Sequence, residues 1–299
     1  CMKNHWLFFC FLFLITPFAQ AQVVEWGNQQ KTKSKVYYTQ VLGENSSGVF
    51  IARARTSEFR REIVIEKYKS NLVVDIAKDL PQPENSWVER AIVTETGLLQ
   101  FSTYKNANGN AEMQLQLIDN SLNVISTKVL FEVDGELNNE KRMLIRHSVD
   151  KKSFAIVFIT KGKDKSKSVI NLYGFDGTLS QRFNRKFGLD YGAEDVFLSN
   201  MECDNDGNVF ALVDFPKEGR KPRDYRPRNY FLYSYFAAKD NMLEYAIGKD
   251  SVIVNDLAIV VNNYAKVVNI AGFYSDKADN KALGSVFFKL DIKSTEIQV

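Results

Sequence analysis

The stretch Glu202–Phe215, reading ECDNDGNVFALVDF, constrains the fold of this chain more than any other. An acidic turn, Asp204-Asn205-Asp206-Gly207-Asn208, opens into the apolar run Val209-Phe210-Ala211-Leu212-Val213. Asp and Asn side chains bond their own backbone in turns, and Gly supplies the positive φ of a tight hairpin. The β-branched and aromatic residues that follow favour a strand. The same figure returns along the chain: GVFIARA from Gly48, GLLQFST from Gly97, SFAIVFIT from Ser153, NVFALVDF from Asn208 and KVVNIAGF from Lys266. A second marker keeps step with it, a polar turn residue ahead of a Leu, at Lys69/Leu72, Asp119/Leu122, Asp176/Leu179 and Asp240/Leu243.

A period of roughly 40–50 residues holding four strands is the signature of a propeller blade. The second strands are near-continuous apolar runs, as expected when neighbouring blades cover both faces. The expected fold is therefore all-β and β-propeller-like, with about five four-stranded blades at 36–80, 87–133, 142–188, 195–248 and 252–299. Val49, Leu98, Phe154, Val209 and Val267 should occupy equivalent places in successive sheets. Propellers commonly have more blades, so the expectation is an incomplete ring: a five-bladed piece of a larger one, or a chain whose last part is missing. The competing arrangement is two packed β-sheets, which would not need the repeats to keep register.

The template resembles the repeat of secreted bacterial β-propeller proteins, in which D-x-x-G-N-x-φ (φ apolar) leads from one strand into the next. The matching residues are Asp204, Gly207, Asn208 and Phe210. The other four units keep the hydrophobic rhythm without the Asp-Gly-Asn letters. Propellers of this sort are mostly binding platforms or scaffolds, and some are enzymes, so the resemblance implies a fold and no particular reaction.

The N-terminus reads as an export signal. Lys3 supplies the positive end, Trp6 to Phe18 is apolar, and Ala19-Gln20-Ala21 is a small-x-small cleavage site before Gln22. The run is short for a membrane span of roughly 20 residues, so signal removal over 1–21 should leave no stable span. Residues 22–35 are a polar, basic leader. Localisation is expected to be periplasmic, outer surface or extracellular. Cys1 and Cys10 leave with the signal; Cys203 then has no internal disulfide partner and reads as a small buried hydrophobe. With 45% hydrophobic residues the chain can bury a core, and a net charge of +3 lacks the dense basic character of a nucleic-acid binder.

The most unusual stretch is the loop from Lys217 to Tyr230, holding Arg220, Lys221, Arg223, Arg226 and Arg228 with Tyr225 and Tyr230. Guanidinium forks pair with carboxylates or phosphates and Tyr offers a stacking face. It is the candidate contact site for a partner protein or an acidic glycan, set against a solvated charged loop. Asp204, Asp206 and Asn208 stand at alternate positions, as calcium ligands can. The full calcium loop needs more ligands and a closing Glu, and the plain turn is preferred. His147, the last His after signal removal, lies in a strand and reads as structural. Ser148 and Asp150 are near it in sequence, but a triad is recognised by spatial geometry. Ser148–Lys152 lacks the Gly of an Asp-box.

Glu194, Asp195, Glu202, Asp204 and Asp206 offer carboxylates, yet a glycosidase needs two facing one another across a pocket. No cofactor is implied. The leading expectation is an exported non-enzymatic binding or scaffold protein. The alternative is a carbohydrate-active hydrolase using a carboxylate pair.

Overall fold

The computed structural model describes residues 38–54, 62–80, 82, 86–133, 143–164, 167–193, 195–216, 228–248, 253–275 and 281–298. The export signal, the polar leader, Pro81, Pro83 and Glu194 lie outside them. The first blade holds β1 (Tyr38–Asn45), β2 (Gly48–Ala54), β3 (Ile63–Tyr68) and β4 (Val74–Asp79), and the second β5 (Ser86–Thr94), β6 (Gly97–Lys105), β7 (Ala111–Asp119) and β8 (Val124–Val133). The third holds β9 (Met143–His147), β10 (Ser153–Lys161), β11 (Ser168–Asp176) and β12 (Gln181–Leu189). The fourth holds β13 (Phe197–Cys203), β14 (Val209–Pro216), β15 (Arg228–Phe236) and β16 (Asn241–Ile247), with a 3-10 turn, Ala237–Lys239, between its last two strands. The fifth holds β17 (Ile253–Asn262), β18 (Val267–Ser275), β19 (Gly284–Asp291) and β20 (Ile297–Gln298).

Each blade is a four-stranded antiparallel sheet taken in chain order. The fold is all-β and propeller-like, with five such blades. First strands meet those of the next blade, β1 against β5, β9 against β13 and β13 against β17. Among the described residues no helix is long and apolar enough to cross a membrane.

This topology gives the blades two distinct rims. First-to-second and third-to-fourth turns emerge at one, the turn rim. Second-to-third loops and blade-to-blade connections emerge at the other, the loop rim. Single side-chain oxygens cap many of the turns at the turn rim. Asp119 accepts from the backbone N–H of Ser121 and Asn123, Asp176 from Thr178 and Ser180, Asp204 from Asp206 and Asn208, and Asp291 from Lys293 and Ser294. Asn45 and Asn262 do the same with an amide oxygen. The recurring letter is Asp or Asn because the turn needs a short side-chain acceptor.

The Leu marker has a backbone cause. Leu72, Leu122 and Leu179 have φ of +58°, +60° and +63°, and their N–H groups donate to the carbonyls of Lys69, Asp119 and Asp176. A left-handed Leu is strained, but Leu122 and Leu179 bury their side chains between blades. In the fourth blade the expected pair Asp240/Leu243 is displaced. The 3-10 turn shifts the left-handed residue to Asp240, φ +47°, whose N–H faces the Ala237 carbonyl, and Leu243 lies inside β16.

Side chains of the second strands alternate between two interfaces. Leu98 faces back to blade 1, while Leu99 and Phe101 face forward to blade 3. Phe154, Ile156 and Phe158 face back to blade 2, and Ala155, Val157 and Ile159 forward to blade 4. Val209, Ala211 and Val213 face back, and Phe210 and Leu212 forward to blade 5. Burial on both faces explains the continuous apolar runs. It also corrects one equivalence. Val49, Leu98, Phe154 and Val209 pair with the third-strand residues Tyr68, Ile118, Phe175 and Tyr235, and the matching residue in blade 5 is Val268, opposite Leu290, one place beyond Val267.

Each core cluster is shared by two consecutive blades. Between blades 2 and 3, Phe131 stacks on Tyr173 at 4.0 Å and on Phe158 at 5.4 Å. A blade therefore hides its oily faces only with a neighbour on each side.

Candidate functional site

The acidic turn lies at the turn rim of the fourth blade, and the strands that flank the basic stretch meet at the opposite rim. Arg220, Lys221, Arg223, Tyr225 and Arg226 are outside the described residues. Their hairpin closes at the loop rim with Pro216 opposite Arg228. Tyr230 is 6% exposed, packed in the core between blades 4 and 5. Its ring is used for packing and offers no stacking face at the surface.

Asp204, Asp206 and Asn208 are at the turn rim. Asp204 is fully buried; its Oδ1 accepts from two backbone N–H groups and its Oδ2 accepts from Asn208 Nδ2 at 2.7 Å. Asn208 Oδ1 accepts from the Ala237 N–H at 2.9 Å. Asp206 pairs with Lys266 of the next blade at 2.6 Å. The three side chains thus serve different partners, and no group of His, Cys, Asp and Glu among the described residues is placed to hold a metal ion. Burial raises the pKa of Asp204 against the pull of its hydrogen bonds to Asn208.

His147 Nδ1 lies 2.8 Å from the Ser148 carbonyl, and the Ser148 hydroxyl donates to Asp150. Burial lowers the His147 pKa against the pull of the Ser148 carbonyl, helped by the charges of Arg90, Lys151 and Arg146. Burial likewise pushes the Cys203 thiol up, with the nearby charges of Asp204 and Glu202 adding to it.

Beside the acidic turn the structure opens a cleft of about 350 Å³ between blades 3 and 4, lined by Arg182, Phe183, Arg185, Asp206, Tyr235, Ala237, Ala238 and Asp240. Strand β12 supplies the first three. Phe183 pairs with Gly174 across the sheet, and a Cβ at Gly174 would fall 2.1 Å from its ring, so the glycine makes room for the floor of the cleft. Phe183 meets Tyr235 at 4.5 Å. The 3-10 turn projects Asp240 between them and Arg185. Arg185 donates Nε at 2.6 Å and Nη2 at 2.5 Å to the two Asp240 oxygens, and the Tyr235 hydroxyl donates to Oδ1 at 2.7 Å. A bidentate guanidinium–carboxylate pair is rigid as well as strong. Arg182 lies at the other end. Its Nη1 would be 3.1 Å from a Cβ at Gly207 and reaches Ser153 Oγ at 3.4 Å, a long contact.

The Arg185 hydrogen bond, then that of Tyr235, holds the Asp240 carboxyl at about 2. Burial, then the bond to Asp240, pushes the Tyr235 phenol up to about 12. Because the folded value of Asp240 is depressed, its contribution is complete above its ordinary value of 3.8 and is lost as pH falls through about 2. The clamp is therefore expected to be intact at pH 4. A carboxyl-carbon NMR titration should give Asp240 a midpoint near 2, and Arg185→Ala should move it back up.

The sequence matches no protein-family model and no curated protein. Among solved structures, the S511A mutant of a puromycin hydrolase complexed with PGG aligns with a TM-score of 0.50 at 9% identity, over 88% of this chain and 38% of that one. A D477G ACO/RPE65 chimera aligns at 0.45 with 11% identity, over 90% of this chain and 62% of that one. A Glu150Gln mutant of the apocarotenoid oxygenase of Synechocystis aligns at 0.42 with 11% identity, over 83% and 57%. This chain thus spans well under half of the hydrolase chain, and the likeness is one of β-propeller-like fold alone.

Nothing local in the sequence marks Arg182, Arg185, Tyr235 and Asp240 as a site; Asp240 carries only the turn marker ahead of Leu243. The carboxylate pairs with a guanidinium 55 residues away, and neither side announces the other locally.

Proposed function

We propose that the chain is a secreted propeller-repeat protein of the cell envelope or extracellular space that binds a partner protein or an acidic glycan without chemistry. The cleft between blades 3 and 4 is its binding site at the turn rim. The observation that carries this reading is how the acids there are occupied. Asp240 is clamped by Arg185 and Tyr235, Asp206 by Lys266, and Asp204 is spent on backbone donors. A glycosidase needs one carboxyl free to give a proton and another facing it across the substrate. The basic loop between β14 and β15, with Arg220, Lys221, Arg223, Arg226 and Arg228, is a second proposed contact surface.

The hydrolase alternative has one feature in its favour: burial raises the pKa of Glu202, as a general acid requires. The charge that opposes that shift is Arg146, on the neighbouring first strand β9. A screen of the mature protein against a panel of glycans, read for both binding and sugar release, separates the two. Saturable binding without turnover is the expected result. Turnover that disappears in Glu202→Gln would replace the binding reading with the hydrolase.

A further inference from the structure

We propose that the cleft between blades 3 and 4 is a subsite for a sugar acid, a single ring bearing one carboxylate, such as a uronate unit within an acidic glycan. The proposal rests on the binding reading above and names the ligand of the same site. Its first ground is charge. Arg185 is matched by Asp240, and Asp206 by Lys266. That leaves Arg182 as the charged group of the lining with no ion pair among the described residues. It is exposed, and its hydrogen bond to Ser153 is the long one. Asp176 lies within electrostatic reach and offsets part of that charge without a direct ion pair. A planar fork with spare N–H donors suits a carboxylate. A phosphate monoester, at about −1.5 to −2, would set more charge against Asp206 and Asp240 in the same small cleft.

The second ground is the pattern of acceptors. Carboxylate oxygens each carry two lone pairs, so Asp206 and Asp240 can still accept hydrogen bonds while ion-paired. Sugar hydroxyls supply such donors. An aspartate or glutamate side chain of a partner protein brings the carboxylate without them. The third ground is shape. Ala237 and Ala238 bring methyl groups to the lining beside the polar groups, against which the C–H face of a ring can lie. A volume of about 350 Å³ is at the small end for ligand sites and has room for a unit of roughly sugar-ring size.

The test is isothermal titration of the full chain with trigalacturonate, and with the matching neutral galactose oligomer, alongside Arg182→Ala, Arg182→Lys and Ala238→Phe. The acid is expected to bind at least ten-fold more tightly than the neutral oligomer. Arg182→Ala should lose about that factor and Arg182→Lys part of it; Ala238→Phe should block the cleft without touching a charge. Circular dichroism checks that the variants fold. Equal binding of acid and neutral oligomers, unchanged binding in Arg182→Ala, or no heat at millimolar trigalacturonate would each overturn the sugar-acid assignment. A parallel array of neutral glycans, sulfated glycans and acidic peptides separates that failure from failure of the binding reading. If another class binds and is lost in Ala238→Phe, the cleft remains a binding site and only the ligand class is wrong. If nothing on the array responds to the cleft variants, both readings fall.

Discussion

Gly97→Ala is expected to destabilise the protein by about 4 kcal/mol, in the range where a single change is diagnostic of one specific defect. Gly97 opens β6 with φ +141°, and a Cβ there would sit 2.0 Å from the Ile118 carbonyl oxygen on β7. Two penalties therefore coincide, a backbone conformation disfavoured for L-residues and a collision with a main-chain atom that cannot rotate away. Gly48 repeats the situation in blade 1, with φ +142° and a virtual Cβ 2.1 Å from the Tyr68 carbonyl oxygen. The two glycines mark the same place in two copies of one unit, so Gly48→Ala should be damaging for the same reason. Urea unfolding followed by tyrosine and tryptophan fluorescence measures both. A loss below about 1 kcal/mol, no more than an average point substitution, would mean that the hairpin accommodates the side chain.

Asp204→Ala is expected to cost about 3 kcal/mol, since it strands the backbone N–H groups of Asp206 and Asn208 and the Asn208 amide inside the protein. The loss should spread, because Asn208 also holds the start of the 3-10 turn through the Ala237 N–H, and that turn carries Asp240. Asp204→Asn should be the milder change. Asn45 and Asn262 perform the same capping role with an amide oxygen in other blades, and an amide avoids burying a charge. The comparison also tests the acidic turn as a structural cap. Chemical denaturation with and without calcium should give the same ranking of wild type, Asp204→Asn and Asp204→Ala; a calcium-dependent stability that only the wild type shows would reinstate a metal role.

Raised and lowered carboxyl groups pull the acid response in opposite directions. Asp240, and likewise Asp119 and Asp176 with their turn donors, stabilise the fold above their ordinary values and cease to do so as pH falls. Asp204, whose folded value is raised by burial, works the other way: its share is present below its unfolded value and is lost as pH rises through the folded one.

Features written by neighbouring residues were legible without coordinates. The Asp or Asn that starts a turn, the apolar run that follows and the Leu at the left-handed position each depend on contacts within a few residues, and they recur because the unit recurs. Where one unit departed from the rule the sequence misled. The 3-10 turn Ala237–Lys239 moves the left-handed residue of blade 4 to Asp240, and the start of β18 is one residue out of step, so Val268 and not Val267 takes the equivalent place. Tyr230 is a further case. Read as the aromatic end of a basic loop, it turns inward on β15 into the interface with blade 5.

The chain's own letters determined the strands, their grouping in fours and the need of each sheet for a neighbour on both sides, because alternation and turn chemistry act over short separations. Only the tertiary structure decided which side chains meet across blades. The bridges from Lys128 to the Leu179 carbonyl, Asp150 to Asn205, Arg185 to Asp240 and Lys266 to Asp206 join residues 51, 55, 55 and 60 positions apart. Such separations follow from how one sheet packs on the next, a register that the interlocking of whole faces sets and no local pattern encodes. The cleft, with its clamped acid and its lining Arg182, exists only at that level.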